Sequence, residues 1–372
     1  MNLTATIKSK VASLGRMADR DTPLLRDQWY IAAHIDEVGR TMLARDILGD
    51  SVLLVRREDG MAVALQNRCP HRGFPLVQGR LEGNAVVCGY HGFTFGTDGT
   101  GLRVPSQDHV PAGLRLAAYP LVERAPFLWI WMGDASRADT AAIPDHAWLT
   151  APGHAHIEGY FLVKSSYIAL HENVLDLTHL HYLHGSAVGS AGFSDAPIEI
   201  TEHDGMIRIL RVERGGEAPS HYARMAGLTS GDVVDRISDA YWVSPAMSYA
   251  KATIVDRQPA PDRRAEFNFW VMHAFTPANR NDTHYFWANG RDCSVNDPET
   301  DAWLRGRSAK VLSEDVTAME AIQDLWARTE RERYDEFSVA ADRPGVQLRR
   351  RIARLAAEEL ERSSSAPAAT PE

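Results

Sequence analysis

The apolar positions of this chain fall into short blocks separated by turn residues, over residues 25–135 and again over 194–293. Residues 51–57 (Ser-Val-Leu-Leu-Val-Arg-Arg) and 61–66 (Met-Ala-Val-Ala-Leu-Gln) flank Glu58-Asp59-Gly60, a strong hairpin signal. Strands are also read at 85–87 and 93–95, with a closing hairpin at 121–124 and 127–132. This spacing predicts a small antiparallel β domain over residues 25–135. Small residues and turn signals then place a linker at 136–158. Further strands are read at 159–165, 198–201, 206–212, 240–243, 248–255, 267–275 and 283–287. Helices follow at 299–330 and 348–360, so the second domain, 159–362, is expected to wrap an antiparallel sheet around a long helix. Residues 1–24 read as a polar arm and 363–372 (Ser-Ser-Ser-Ala-Pro-Ala-Ala-Thr-Pro-Glu) as a disordered tail.

A chain of 372 residues, 44% apolar, is long enough for two or three proper cores. Its net charge of −9 points away from nucleic acid and from anionic membrane surfaces. No apolar run approaches the roughly 20 residues of a membrane span, and residues 1–8 lack the apolar region of a signal peptide. A cytoplasmic protein is expected. The three cysteines make no disulfide framework, and Cys293 reads as an inert small residue. No G-x-G-x-x-G follows a predicted strand, so reducing equivalents from NAD(P)H are expected to arrive through a separate protein.

Chemistry concentrates in two stretches. Cys69-Pro70-His71-Arg72-Gly73 and Cys88-Gly89-Tyr90-His91-Gly92 are two Cys/His pairs, each closed by glycine, separated so that two loops could share one metal centre. Thiolate and imidazole together suit zinc or an iron–sulfur centre. Common zinc motifs pair Cys with Cys and His with His, whereas each half here is mixed, as in a Rieske [2Fe–2S] centre. The second stretch, 171–184, reads His-Glu-Asn-Val-Leu-Asp-Leu-Thr-His-Leu-His-Tyr-Leu-His. Imidazoles with a carboxylate are the ligand set of mononuclear oxygenase iron. Helical spacing alone favours His181 with His184 and turns His179 away from His184, so the ligand pair stays open on spacing.

The two loops, C-P-H-R-G-x-P-L-x-x-G and C-x-Y-H-G-F-x-F, closely resemble Rieske loops, with Phe93 where many members have Trp. Asn173-x-x-Asp176-x-x-His179-x4-His184 is similar to the iron motif of Rieske non-heme iron oxygenases. The version with Asn before the Asp resembles the branch of vanillate demethylase, dicamba monooxygenase and toluenesulfonate monooxygenase. That resemblance spans about 29–360 and implies an α+β chain. It joins an N-terminal antiparallel β Rieske domain to a C-terminal helix-grip, START-like catalytic domain.

By the same resemblance, Cys69, His71, Cys88 and His91 hold a [2Fe–2S] cluster, and His179, His184 and Asp315 hold mononuclear Fe(II). Glu314 and Asp324 are the rivals of Asp315. His181 would be idle and His171 would pack. A π-type widening or break is expected between His179 and His184. Asp176 is expected to accept hydrogen bonds from His179 and from a neighbour's His91, within a head-to-tail homotrimer. Trp270, His273, Phe275 and Trp287 are candidates for the substrate wall. The implied activity is monooxygenation of an aromatic or similar small substrate with O2, by hydroxylation or O- or N-demethylation, with electrons from a reductase or ferredoxin. Aromatic-ring cis-dihydroxylation and a pure Rieske electron carrier are the alternatives.

Overall fold

The short apolar blocks of the first third become strands β1 (Trp29–His34), β2 (Leu43–Ile47), β3 (Asp50–Arg56), β4 (Ala62–Gln66), β5 (Arg80–Glu82) and β6 (Ala85–Val87). They continue as β7 (Thr94–Gly96), β8 (Gly101–Arg103), β9 (Ala118–Tyr119), β10 (Leu121–Arg124) and β11 (Phe127–Trp131). Three antiparallel sheets result, ordered β1–β11–β10, β2–β3–β4–β9 and β5–β6–β7–β8. The Glu58-Asp59-Gly60 hairpin forms as its residues dictate, with Leu54 opposite Ala64. Leu53, Leu65, Leu76, Val86 and Phe95 are fully buried around Cys69 and Cys88. Each such side chain contributes about 1.5–3 kcal/mol of burial.

The structure is a computed structural model that describes residues 22–229, 231–329 and 336–365. Apart from residues 22–24 and 363–365, the expected arm and tail lie outside the described residues. The chain divides into two compact units. One comprises 24–143 with 276–280, and the other holds the described residues of 144–275 and 281–372.

In the second unit β12 (Ala155–Val163), β13 (Ile198–His203), β14 (Met206–Glu217), β15 (Val233–Ser244), β16 (Met247–Asp256), β17 (Glu266–Pro277) and β18 (Thr283–Arg291) build one sheet. Its order is β12–β18–β17–β16–β15–β14–β13. Strict alternation on β15 buries Val234, Arg236, Ser238, Ala240 and Trp242 and leaves Asp235, Asp239 and Tyr241 half-buried on the opposite face.

The helices are α1 (Tyr167–Leu175), α2 (His179–His184), α3 (Ala191–Asp195), α4 (Ser220–Ala226), α5 (Pro298–Arg328) and α6 (Arg343–Ser365). The Ser166 hydroxyl caps α1, and Asp297, followed by Pro298, starts α5. Buried Arg349 on α6 pairs with Glu172 on α1 at 2.8 Å and with Glu336 at 3.1 Å, tying the two helices together.

The helix break falls earlier than expected. α1 stops at Leu175, Asp176 is extended (φ −95°, ψ 91°), and His179 to His184 is one continuous helical turn and a half. The Asp176 carboxylate accepts the Thr178 N–H at 2.9 Å, a local side-chain turn that competes with the helix. No widening between His179 and His184 is needed.

Candidate metal centres and adjoining cavity

His179 opens α2 and His184 ends it. Nε2 of His179 lies 3.4 Å, and Nε2 of His184 3.2 Å, from the same oxygen, Oδ1, of Asp315 on α5. Five residues along a regular helix would rotate the rings apart by about 140°. They converge because His179 emerges from the turn at Asp176, whose main-chain carbonyl accepts from its Nδ1. The Asp176 carboxylate, expected from the sequence in that role, is instead turned back onto the Thr178 N–H. The ring centroids are 5.2 Å apart. Asn173 on α1 donates to Asp315 Oδ1 at 3.0 Å. Glu314, the rival carboxylate, instead takes Nδ1 of His184 at 2.8 Å. Asp324 is exposed and paired with Arg328.

All three donor atoms of His179, His184 and Asp315 lie within 4.8 Å of one another. Two imidazoles and one carboxylate facing a cavity fit iron that keeps positions open for reactants. Burial alone would raise the Asp315 carboxyl, but hydrogen bonds from His179 and His184 outweigh it and hold the group well below the usual carboxylate range. His181 packs against Tyr182 instead. His171 is fully buried, with Nε2 3.0 Å from the Pro245 carbonyl and Nδ1 2.8 Å from the Ser248 hydroxyl.

A cavity of about 120 Å³ adjoins this triad. That is on the order of the ~150 Å³ that admits a benzene ring in an engineered apolar cavity. Leu177, Leu180, Val188, Phe269, Val271 and Leu312 supply apolar wall. Of the four wall candidates, His273 lines it, buried and pushed down to about 4 by desolvation, with Nδ1 2.6 Å from the Tyr285 hydroxyl. Trp270 borders the cavity, but its ring stacks on Trp148 and meets His154 on the opposite face of the sheet. Phe275 packs on His171 and Tyr285, while Trp287 fills the space over Gly159; neither lines the cavity among the described residues. Aromatic content marked these residues, but strand alternation decides which face each occupies. Tyr285, the partner of His273, read in sequence only as one more strand aromatic.

In the other unit, two loops repeat one hydrogen-bond pattern. Gly73 N–H donates to the Cys69 carbonyl at 2.8 Å, and Gly92 N–H to the Cys88 carbonyl at 3.0 Å. Both glycines are left-handed (φ 72° and 70°), the region a β-carbon disfavours. Cys69 and Cys88 are each 2% exposed, whereas His71 and His91 stand at the surface with ring centroids 4.7 Å apart. Burial and the adjacent Cys88 sulfur raise the Cys69 thiol. An inner thiol pair and an outer imidazole pair fit a [2Fe–2S] group with one iron on each pair. Phe93 stacks flat on His71 at 4.7 Å, so it keeps an aromatic face beside the ligand. Cys293 is buried with its thiol pushed up to about 12, in keeping with an inert residue.

An antiparallel β module with a Cys2His2 loop pair, joined to a sheet grasping a long helix with a two-His, one-carboxylate site, defines a Rieske-type oxygenase component. Residues 28–120 match the Rieske [2Fe-2S] domain, and residues 163–358 match the vanillate O-demethylase oxygenase C-terminal domain. The chain is 32% identical to the dicamba O-demethylase oxygenase component of Stenotrophomonas maltophilia, over 91% of this chain and 98% of that protein. It is 29% identical to the vanillate O-demethylase oxygenase subunit of Pseudomonas sp. (strain HR199 / DSM 7063), over 92% and 97%. Crystal structures of dicamba monooxygenase superpose with TM-scores of 0.85 (bound to 3,6-dichlorosalicylic acid) and 0.77 (with non-heme iron and dicamba). Each is 30% identical, covering 91% of this chain and 99% of that one.

This chain therefore belongs to the Rieske oxygenase family, as the oxygenase component, in the branch of the vanillate and dicamba O-demethylases. These relatives favour monooxygenation over cis-dihydroxylation, and both domains together exclude a simple electron carrier.

Proposed function

We propose that this oxygenase component hydroxylates or oxidatively demethylates a single-ring aromatic substrate held in the cavity beside His179, His184 and Asp315. The observation that carries this reading is the convergence of two imidazole Nε2 atoms on one oxygen of Asp315 at the edge of an apolar cavity. Cys69, His71, Cys88 and His91 would hold the [2Fe–2S] cluster, and His179, His184 and Asp315 the mononuclear Fe(II); bound, they supply single-electron transfer and O2 activation.

The chain's own residues do the positioning. The Asp176 carbonyl and the Glu314 carboxylate each take an Nδ1, which leaves both Nε2 atoms facing the shared centre. Asn173 fixes Asp315. His273, kept neutral by burial, presents a ring whose Nδ1 is taken by Tyr285. The apolar wall keeps water out and strengthens every polar contact inside.

Electrons reach the chain from NAD(P)H through a reductase or ferredoxin. Assembly is as a head-to-tail homotrimer, a heterologous contact that closes into a ring. The carboxylate of Asp176 reaches the partner subunit's His91. In its support, Asp176 Oδ1 is taken by Thr178, and Oδ2 makes no hydrogen bond among the described residues. A cytoplasmic location fits a chain that would use two of its three cysteines as cluster ligands rather than in disulfides. The test supplies a reductase, NADH and a panel of methoxylated, N-methylated and carboxylated aromatics, and follows O2 uptake with formaldehyde or single-hydroxyl products. A cis-diol product, or no substrate-dependent O2 uptake from iron-replete protein, would overturn the reading.

A further inference from the structure

Arg236 is only 2% exposed, yet it borders the cavity. Its Nε donates to the Ser238 hydroxyl at 3.1 Å and its Nη1 to the Val188 carbonyl at 2.5 Å, while Nη2 makes no hydrogen bond among the described residues. The guanidinium carbon lies over Phe193, 3.9 Å from the ring centroid, and 5.3 Å from that of Tyr222. No carboxylate neutralises it among the described residues. Glu213 stands directly opposite on β14, but both its oxygens are taken by the Ser190 hydroxyl, at 2.8 and 2.9 Å. Asp239 also borders the cavity, but its carboxylate pairs with Arg208. A second buried guanidinium, Arg211, lies over the same Phe193 ring, and the carboxylates of Asp176 and Asp195 act on that one. A charge taken out of water without a partner is strongly unfavourable, so such a group marks a place where a charge is to be received.

Other polar groups border the cavity around this arginine. Asn289 and Ser308 both line it, and the Ser308 hydroxyl is buried with no partner among the described residues. His221 also lines it, with Nδ1 unpartnered among the described residues. The His221 ring lies 5.8 Å from the Trp303 ring of α5, which places this polar end beside residues 303–308. Ser308 precedes Asp315 by seven residues, about 10 Å along a helix axis.

We propose that Arg236 is a specificity-determining residue that receives an anionic group, carboxylate or sulfonate, at the end of the substrate remote from the carbon to be oxidised. The inference rests on the oxygenase reading of the same cavity. Planar guanidinium matches the oxygens of such anions, and the apolar wall of the cavity that Arg236 and Asp315 both border holds the ring. The roughly 10 Å of helix between Ser308 and Asp315 favours substituents placed meta or para across a ring over ortho neighbours.

The test is equilibrium binding to the purified, metal-loaded protein, read by calorimetry, with 4-methoxybenzoate, 4-methoxybenzenesulfonate and the uncharged 4-methoxybenzamide. The wild type is expected to bind at least one of the two anions about ten- to a hundred-fold more tightly than the amide. Arg236→Met should erase that preference, and Arg236→Lys should keep part of it, with cluster absorbance and iron content unchanged in both. Should Arg236→Met fail to fold, the wild-type ratio and Arg236→Lys carry the test. Equal binding of anions and amide by the wild type, retention of the preference in Arg236→Met, or no binding of either anion at millimolar concentration would overturn the proposal. Tighter binding of 2-methoxybenzoate than of its 3- and 4-isomers would overturn the placement. O2 uptake in the same samples is scored separately, so inactive protein with an intact anion preference counts against the oxygenase reading and not against Arg236.

Discussion

Glu314 and His184 are joined by a 2.8 Å hydrogen bond through Nδ1, while the next residue, Asp315, meets Nε2 of the same ring at 3.2 Å. One imidazole is thus held on both sides by consecutive residues of α5. Asp315→Ala should release the mononuclear iron and leave the cluster in place. Glu314→Gln should retain iron with affinity lowered about 10–100-fold, the usual effect of losing a group behind a metal ligand. Metal analysis after dialysis against a graded chelator separates the two. Full iron retention in Asp315→Ala would transfer the ligand role to Glu314.

Asp176→Asn should keep both metals and lose nearly all turnover. The amide oxygen can still accept from Thr178 N–H, so the turn that delivers His179 persists and the change falls on charge alone. Iron content, cluster spectrum and steady-state O2 uptake are the measurements. Wild-type turnover in this variant would remove Asp176 from the electron path.

Cys69→Ser should abolish the visible absorption of the cluster. Cys69 sits in the core with Leu53, Leu65 and Leu76, and thermal unfolding will report whether the fold survives the change. An unchanged spectrum would refute the ligand assignment.

Stability should fall with acid through His171. The Pro245 carbonyl can only accept, so Nε2 carries the proton and Nδ1 accepts from Ser248; the neutral ring is satisfied and burial pushes its pKa down to about 3. Above its ordinary value of 6.5 the ring is neutral folded or unfolded, and the contribution is complete. Below it the unfolded chain binds a proton that the folded chain refuses, so stability is lost toward pH 3, at about 1.4 kcal/mol per pH unit. Denaturant unfolding at about pH 7.5 and about pH 5.5 should show His171→Gln with a pH difference smaller than wild type by roughly 1 kcal/mol. An unchanged difference would mean that His171 titrates normally.

The strands were legible because alternation and turn residues repeat along them: β3 and β4 lie within a residue of their predicted ends. So were the cluster loops, whose ligands sit close together in sequence. What depends on distant partners was not legible. Glu314 and Asp315 are adjacent acids on one amphipathic helix, and only the position of α2 gives them different nitrogens of His184. Trp270 looked like a wall residue because of its size, yet its strand phase turns it to the opposite face. Asp176 breaks the helix three residues before His179, through a side-chain turn that helical periodicity does not encode. Arg236 sits unremarked in a strand; its isolation from carboxylates exists only once β14, β15 and α3 are assembled.

The proposed iron donors all project from helices, whereas Ser238, Ala252, Phe269 and Val271 reach the same cavity from the sheet. Part of the selectivity is thereby carried on scaffolding that holds no reactive group. Exchanging one sheet side chain for a larger or smaller one would redraw the space offered to an incoming molecule and leave the reactive centre untouched. A lineage built this way can drift from one compound to another by single replacements.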